Sequence, residues 1–251
     1  MITEFPLLVF TVLTGIAAGA YVGAALFPKG GDDARPWLFP LVTLVLVAIG
    51  GLAAMGHLGR PGNVLNVLNN PTSSLTMEGL SAGALAAVAI VDLAIGFTHK
   101  KSNRAVRIVG AAVGVVCMCV VTMAYTTSYG NPAWVAAPTW PLFVVGDLAG
   151  GLAVWMLFVG ATSKGLARAA AAAGVLLAVV LAWQAATFAG MGAAGVVPIA
   201  CGAALAAAAA VAAWLASSGK LDPRVGAPVV AALAIAALAV SRYGFYMASI
   251  I

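Results

Sequence analysis

The distribution of the basic residues constrains the fold of this chain more than any other feature of the sequence. Long apolar runs alternate with short polar stretches, and Lys and Arg occur almost only in every second stretch. Because Lys and Arg in short loops stay on the cytoplasmic side of a membrane, this pattern predicts a multi-pass protein with a cytoplasmic basic face. We expect the basic face to carry Lys29, Arg35, Lys100, Lys101, Arg104, Arg107, Lys164, Arg168, Lys220 and Arg224. The opposite face, which is then the outer side, retains only Arg60 and Arg242.

The composition indicates that the whole chain, residues 1–251, is a single transmembrane helical domain. Hydrophobic residues make up 63% of the sequence and charged residues 8%, whereas soluble domains contain about 25% charged residues. A helix needs ~20 apolar residues to cross the hydrocarbon core of a bilayer. About eight such runs occur, at residues 5–27, 37–55, 79–97, 105–125, 140–162, 166–190, 197–217 and 227–248. We therefore predict an all-α integral membrane protein with about eight transmembrane helices and both termini on the outer, extracytoplasmic side.

The first apolar run is predicted to be a transmembrane helix and not a signal peptide, because the acid Glu4 precedes it and no basic segment does. Membrane topology explains the net charge of +5. No basic stretch is interleaved with the exposed aromatic residues that a nucleic-acid surface needs. Membrane lipid is therefore an expected partner, and nucleic acid is not.

The cysteines and histidines argue against a metal or haem site built from this chain alone. Cys117, Cys119 and Cys201 all lie in apolar runs and lack the CxxC spacing of iron–sulfur and zinc ligands. His57 and His99 are predicted on opposite faces, so they cannot ligate the two sides of one haem. We expect no metal ion, haem or iron–sulfur cluster in this chain.

His57 and Glu78 flank the long first connection of the opposite face, and each has two interpretations. The helix dipole favours His57 at a helix end, but an imidazole at the membrane boundary can also accept a proton near physiological pH. Glu78 follows Thr76, a plausible N-cap, and an acid is favourable in the first turn of a helix. An ionisable group that enters the apolar region is nevertheless costly and is often functional. At similar depth on one side, the two residues would form a proton-accepting pair.

Other charged and aromatic residues have structural interpretations first. Asp147 and Arg242 each lie about two turns inside a span, and charges within the membrane normally pair or line a cavity, so a salt bridge between them is the main interpretation. Tyr125 and the aromatic residues near it are predicted mostly as an interfacial belt, although one or two could line a ring-binding cleft. Near the basic face, Asp92 would snorkel to the surface or pair with the nearby lysines.

An acid–base cluster at one surface of a chain without a redox centre suits a ligand that dissolves in lipid and releases protons. Quinol has both properties, because its oxidation releases two protons and two electrons. The electrons would then have to leave to a partner protein docked on the opposite face.

Several segments resemble the membrane anchor subunit of bacterial dimethyl sulfoxide reductase. The most specific is His57-Leu58-Gly59-Arg60-Pro61, with the Asn-rich stretch that runs from it to Glu78. Phe5-Pro6-Leu7 at the first span, Tyr125 before a Pro/Trp-rich connection, and Arg242 with Phe245-Tyr246 near the C-terminus are also similar. The resemblance covers nearly the full chain.

This resemblance implies eight transmembrane helices in the bacterial inner membrane, both termini outside, and no prosthetic group in this subunit. It implies an outer quinol site that normally uses menaquinol, an iron–sulfur partner subunit and a molybdopterin catalytic subunit. His57 and Glu78 match the family positions linked to quinol oxidation, and we take them as the catalytic pair. Arg60 departs from the family pattern, in which a small residue commonly follows the Gly, and could contact the partner subunit or a quinol oxygen. The expected quinol-binding residues are His57, Arg60, Glu78, Tyr125 and Arg242.

Three alternatives remain open. A transporter or ion-translocating subunit commonly has repeated halves and broken helices that meet at the midplane, whereas the polar residues of this chain cluster at one surface. A purely structural anchor would tolerate substitutions in that cluster. An anchor of polysulfide-reductase type would carry electrons towards quinone instead.

Overall fold

The computed structural model describes residues 4–29, 34–56, 58, 61–159 and 163–248. In these ranges the regular structure consists of eight α-helices and one 3₁₀ helix, Pro61–Asn69, and contains no strand. The α-helices are α1 Phe5–Leu26, α2 Leu38–Met55, α3 Ser74–His99, α4 Arg104–Thr126, α5 Thr139–Val159, α6 Lys164–Met191, α7 Val196–Ser217 and α8 Pro223–Met247. All eight are long and apolar enough to cross a membrane, so the predicted all-helical architecture is confirmed for the described part of the chain.

Polar capping residues set the starts of four helices, and this explains why three of them begin earlier than the apolar runs. The side chains of Ser73, Asn103, Ser163 and Asp222 accept hydrogen bonds from backbone N–H groups in the first turns of α3, α4, α6 and α8. Helix α3 therefore begins five residues before the predicted position 79, because hydropathy does not detect a polar first turn. The predicted cap Thr76 is wrong: its N–H donates to the Ser73 hydroxyl at 3.2 Å.

Helix α1 lies at the centre of the bundle. Of its apolar span 78% is buried, against 28% for α2 and for α3, and it packs against α2, α4, α5 and α8. Small residues make this position possible, because they let neighbouring backbones approach closely in a membrane. A Cβ on Gly151 of α5 would overlap the backbone of Gly19 and Ala20 in α1.

Gly151→Val is therefore expected to separate α1 from α5 and to lower the free energy of unfolding by about 1–3 kcal/mol, the usual cost of overpacking. The measurement is the thermal midpoint of the detergent-solubilised protein. Gly190→Val is the matched control, since a Cβ at Gly190 would meet nothing within 4 Å. Equal midpoints for the two variants would contradict the close packing of α1 and α5.

A buried ion pair lies near the basic face, inside the bundle. Arg107 Nε is 3.6 Å from Asp92 Oδ2, and both side chains are at most 3% exposed. The Arg107 guanidinium lies 5.2 Å from the ring centre of Phe39 and 5.3 Å from that of Trp155, which adds cation–π attraction. The prediction that Asp92 snorkels or pairs with lysines is wrong, because its side chain turns inward to an arginine on α4.

Candidate functional site

A cavity of about 320 Å³ lies among α1, α2, α3 and the connection that contains the 3₁₀ helix. Leu7 and Phe10 of α1 form its inner wall, and Leu58 and Val64 of the connection also line it. The lining on α2 and α3 consists of Leu44, Val47, Ala48, Gly51, Ala54, Met55, Leu75, Glu78, Gly79, Ala82, Gly83 and Ala86. The cavity therefore lies at the level of the opposite face, between the two least buried helices of the bundle.

Glu78 is the one ionisable residue in the described lining of this cavity. Its side chain is only 7% exposed, and Oε1 has no hydrogen-bond partner among the residues that the structure describes. The cap at Ser73 places Glu78 in the second turn of α3, and the first turn contains no acid. Because the helix dipole acts mainly within the first turn, helix capping does not account for this carboxyl group.

The remainder of the cavity suits an apolar ligand. Its described lining is otherwise hydrocarbon and glycine, and its volume falls at the lower end of the ~300–1,000 Å³ range of small-molecule pockets. The exposed residues Ala48, Leu75, Gly79 and Gly83 lie along its α2–α3 side. A ligand could therefore enter from the hydrocarbon region of the bilayer between these two helices.

His57 and Arg60 lie outside the described residues. Met55 and Leu58, which bracket His57 in the sequence, both line the cavity. Helix α2 ends at Met55, and the Gly56 N–H donates to the Ala53 carbonyl oxygen at 2.9 Å. The structure therefore fixes the two chain segments next to His57 at the cavity.

Tyr125 belongs to a second, buried cluster and does not line the cavity. Its hydroxyl accepts a hydrogen bond from the Tyr246 hydroxyl at 2.8 Å, and Tyr246 is 3.3 Å from the Thr11 hydroxyl of α1. The Tyr125 ring stacks on Phe143 with ring centres 4.8 Å apart. Tyr125 and Tyr246 are at most 3% exposed, so the prediction that they belong to an interfacial belt is wrong.

Arg242 and Asp147 form the salt bridge that the sequence suggested. Arg242 Nη2 donates to Asp147 Oδ1 at 3.0 Å and to the Phe143 carbonyl oxygen at 3.4 Å. The guanidinium carbon lies 3.2 Å from the centre of the Phe143 ring. Neither charged side chain is more than 2% exposed, and Asp147 packs directly against Gly15 of α1. This pair is a buried element of the core, where α1, α5 and α8 meet.

The structure therefore places the predicted site residues in two groups, with α1 between them. Glu78 and the neighbours of His57 lie at the cavity, whereas Tyr125 and Arg242 lie in the buried cluster. Helix α1 connects the two, since Phe10 lines the cavity and the adjacent Thr11 contacts Tyr246.

Sequence reasoning missed the small residues that form the α3 wall of the cavity, Gly79, Ala82, Gly83 and Ala86. A signal for them exists. Residues four apart lie one above the other on the same helix face, and this wall contains the pairs Gly79–Gly83 and Ala82–Ala86 close to Glu78.

Comparisons with known proteins identify the family. The family model described as DMSO reductase anchor subunit (DmsC) matches residues 1–241. One subunit of the anaerobic dimethyl sulfoxide reductase of Haemophilus influenzae is 31% identical over 157 residues, which cover 59% of this chain and 56% of that protein. The subunit of the same name from Escherichia coli is 29% identical over 141 residues, which cover 52% of this chain and 49% of that protein. The chain spans about half the length of these two curated relatives. On the match to the family model, the chain belongs to the family of DMSO reductase anchor subunits.

Proposed function

We propose that this chain is the membrane anchor and quinol-oxidising subunit of a molybdopterin oxidoreductase complex of dimethyl sulfoxide reductase type. The observation that carries the proposal is the apolar cavity among α1, α2 and α3, with the buried carboxyl group of Glu78 in its wall. Family membership supports the role as membrane anchor. The cavity adds a binding place for a lipid-soluble ligand that gives up protons.

In this proposal Glu78 and His57 accept the protons of the two quinol hydroxyl groups. A menaquinol bound in the cavity would supply two electrons and two protons. Glu78 suits the acceptor role because its Oε1 has no other hydrogen-bond partner among the described residues, and because a base must be within hydrogen-bond reach of the proton that it takes. The hydrocarbon lining excludes water and orients an apolar ring system. Arg60 is proposed to contact a quinol oxygen or the partner subunit.

The electrons are proposed to pass to an iron–sulfur subunit docked on the opposite face, and from there to a molybdopterin catalytic subunit. This chain resides in the bacterial inner membrane in the proposal, with the opposite face outside. Protons would be released and electrons passed on at that same face. The step would then generate no membrane potential by itself.

Tyr125 and Arg242 are proposed to affect quinol binding through α1. Their cluster contacts α1 at Thr11 and Gly15, one and five residues beyond the cavity-lining Phe10. Hydrogen bonds and the ion pair in this cluster would hold the α1 wall at a fixed distance from α3.

Filling the cavity tests the proposal without changing any charge. Gly83 lines the cavity, and a Cβ at this position would meet nothing within 4 Å, so Gly83→Phe adds a ring without a backbone clash. We expect a fluorescent menaquinol analogue to bind membranes that contain the complex with Gly83→Phe at least tenfold more weakly than membranes with the unchanged chain. Fluorescence quenching in a titration gives the two dissociation constants.

Gly190→Phe is the matched control, because Gly190 is equally unobstructed and is absent from the cavity lining. It should bind the analogue with unchanged affinity. If Gly83→Phe binds the analogue as tightly as Gly190→Phe does, the quinol site lies elsewhere.

A further inference from the structure

A second large concavity lies on the outer surface of the bundle, between α6 and α7. It has a volume of about 710 Å³ and is lined by side chains of these two helices alone. Alanines line most of its length, together with Val175, Val179 and Val211, and Trp214 is 54% exposed beside it. Small side chains on both helices leave a channel at the lipid-facing surface, and nothing in the quinol proposal uses it.

Two cations stand at the basic-face end of this groove. Arg168 lines it directly and is exposed. The ammonium group of Lys220 lies 5.4 Å from the ring centre of Trp214, which belongs to the groove lining. Neither cation is paired with a carboxylate among the described residues. The nearest acid in the sequence to Lys220, Asp222, already accepts the Arg224 N–H at 2.8 Å as the cap of α8. The groove therefore ends in uncompensated positive charge.

The length of the groove matches one leaflet of a bilayer. Its α6 lining runs from Arg168 to Ala182, which is about 21 Å along the axis at ~1.5 Å per residue. One leaflet of the hydrocarbon core is about 15 Å thick, half of the ~30 Å total. A side chain as long as Arg168 adds the reach to the level of the head groups.

We propose that the α6–α7 groove binds one anionic phospholipid from the leaflet at the basic face. An acyl chain lies along the alanines of both helices, and the phosphate lies between Arg168 and Lys220. The two unpaired cations select a lipid with net negative charge, because a zwitterionic head group carries its own positive group to the same place. Basic pockets between transmembrane helices are known to select anionic head groups in this way.

Trp214 provides the readout. The full complex is reconstituted in vesicles of phosphatidylcholine and phosphatidylglycerol, with bromine on the acyl chains of one lipid at a time. Bromine quenches nearby tryptophan, and subtracting the signal of a Trp214→Phe variant isolates Trp214 from the other tryptophans. We expect half-quenching at a much lower fraction of brominated phosphatidylglycerol than of brominated phosphatidylcholine. Each cation should contribute about fivefold to this preference.

Arg168→Gln with Lys220→Gln should abolish the preference while quenching by phosphatidylcholine remains. Lys101→Gln with Arg104→Gln is the matched control, since it removes two exposed cations of the basic face outside this groove and should leave the preference unchanged. All four positions are exposed, so the fold is expected to persist, which circular dichroism checks. Equal quenching by the two lipids in the unchanged chain, or a preference that survives the Arg168/Lys220 variant, would overturn the proposal.

Discussion

Replacing Glu78 by Gln is expected to slow quinol oxidation by the assembled complex about 10²- to 10⁴-fold, the usual contribution of a positioned proton acceptor. Gln has nearly the same size and fills the same place in the cavity wall, but it cannot take a proton. The quinol analogue should therefore still bind, within a few-fold of its original affinity. The measurements are the rate of quinol oxidation in membranes and the dissociation constant of the analogue.

Glu4→Gln is the control for this experiment. Glu4 is the other glutamate of the chain and lies at the same face, just before α1, but outside the cavity lining. Its replacement should leave both the rate and the binding unchanged. If Glu78→Gln oxidised quinol at the original rate, Glu78 would not be the proton acceptor, even if the cavity is the binding site.

The second large effect concerns stability. Asp147→Asn is expected to lower the free energy of unfolding by about 3–5 kcal/mol, because it leaves Arg242 as an uncompensated charge in the core. Arg242 is fully buried, and its Nε and Nη1 atoms have no hydrogen-bond partner among the described residues. Asn keeps the shape that packs against Gly15, so the loss would reflect the charge and not the packing. Thermal and denaturant unfolding in detergent measure it.

Adding Arg242→Met to Asp147→Asn should restore most of the lost stability, since removing both charges of a buried pair is often nearly neutral. The double-mutant cycle then gives a coupling energy for the pair. Additive losses in the double variant would show that the two side chains contribute independently, which the 3.0 Å contact does not allow.

The positions of the helices were predictable because hydropathy is a local property of the sequence. A run such as 140–162 has to be satisfied within the bilayer whatever its neighbours are, and helix α5 indeed occupies Thr139–Val159. The errors arose at polar ends, where a cap such as Ser73 extends the helix beyond the apolar run. Caps could have been found from Ser and Asn residues just before each run.

The site was predictable in depth but not in lateral arrangement. Glu78, Tyr125 and Arg242 do lie towards the opposite face, because distance from a helix end follows from the sequence. Whether they share a pocket depends on helix rotation and on which helix stands between them. No apolar run shows that α1 will occupy the centre, although its spacing of Gly15, Gly19 and Gly23 is typical of close helix packing. Asp92 was misplaced for the same reason, since its partner lies on another helix.

The central position of α1 has a consequence for biogenesis. Helix α1 is synthesised first, but its partner α5 begins about 130 residues later. At ~5–20 residues per second of synthesis, α1 waits in the bilayer for about 7 to 26 s before α5 follows. During that interval lipid, a neighbouring protein or the insertion machinery must cover the small-residue surface that later contacts Asp147 and Gly151. The first helix to leave the ribosome is thus among the last to acquire its full set of neighbours.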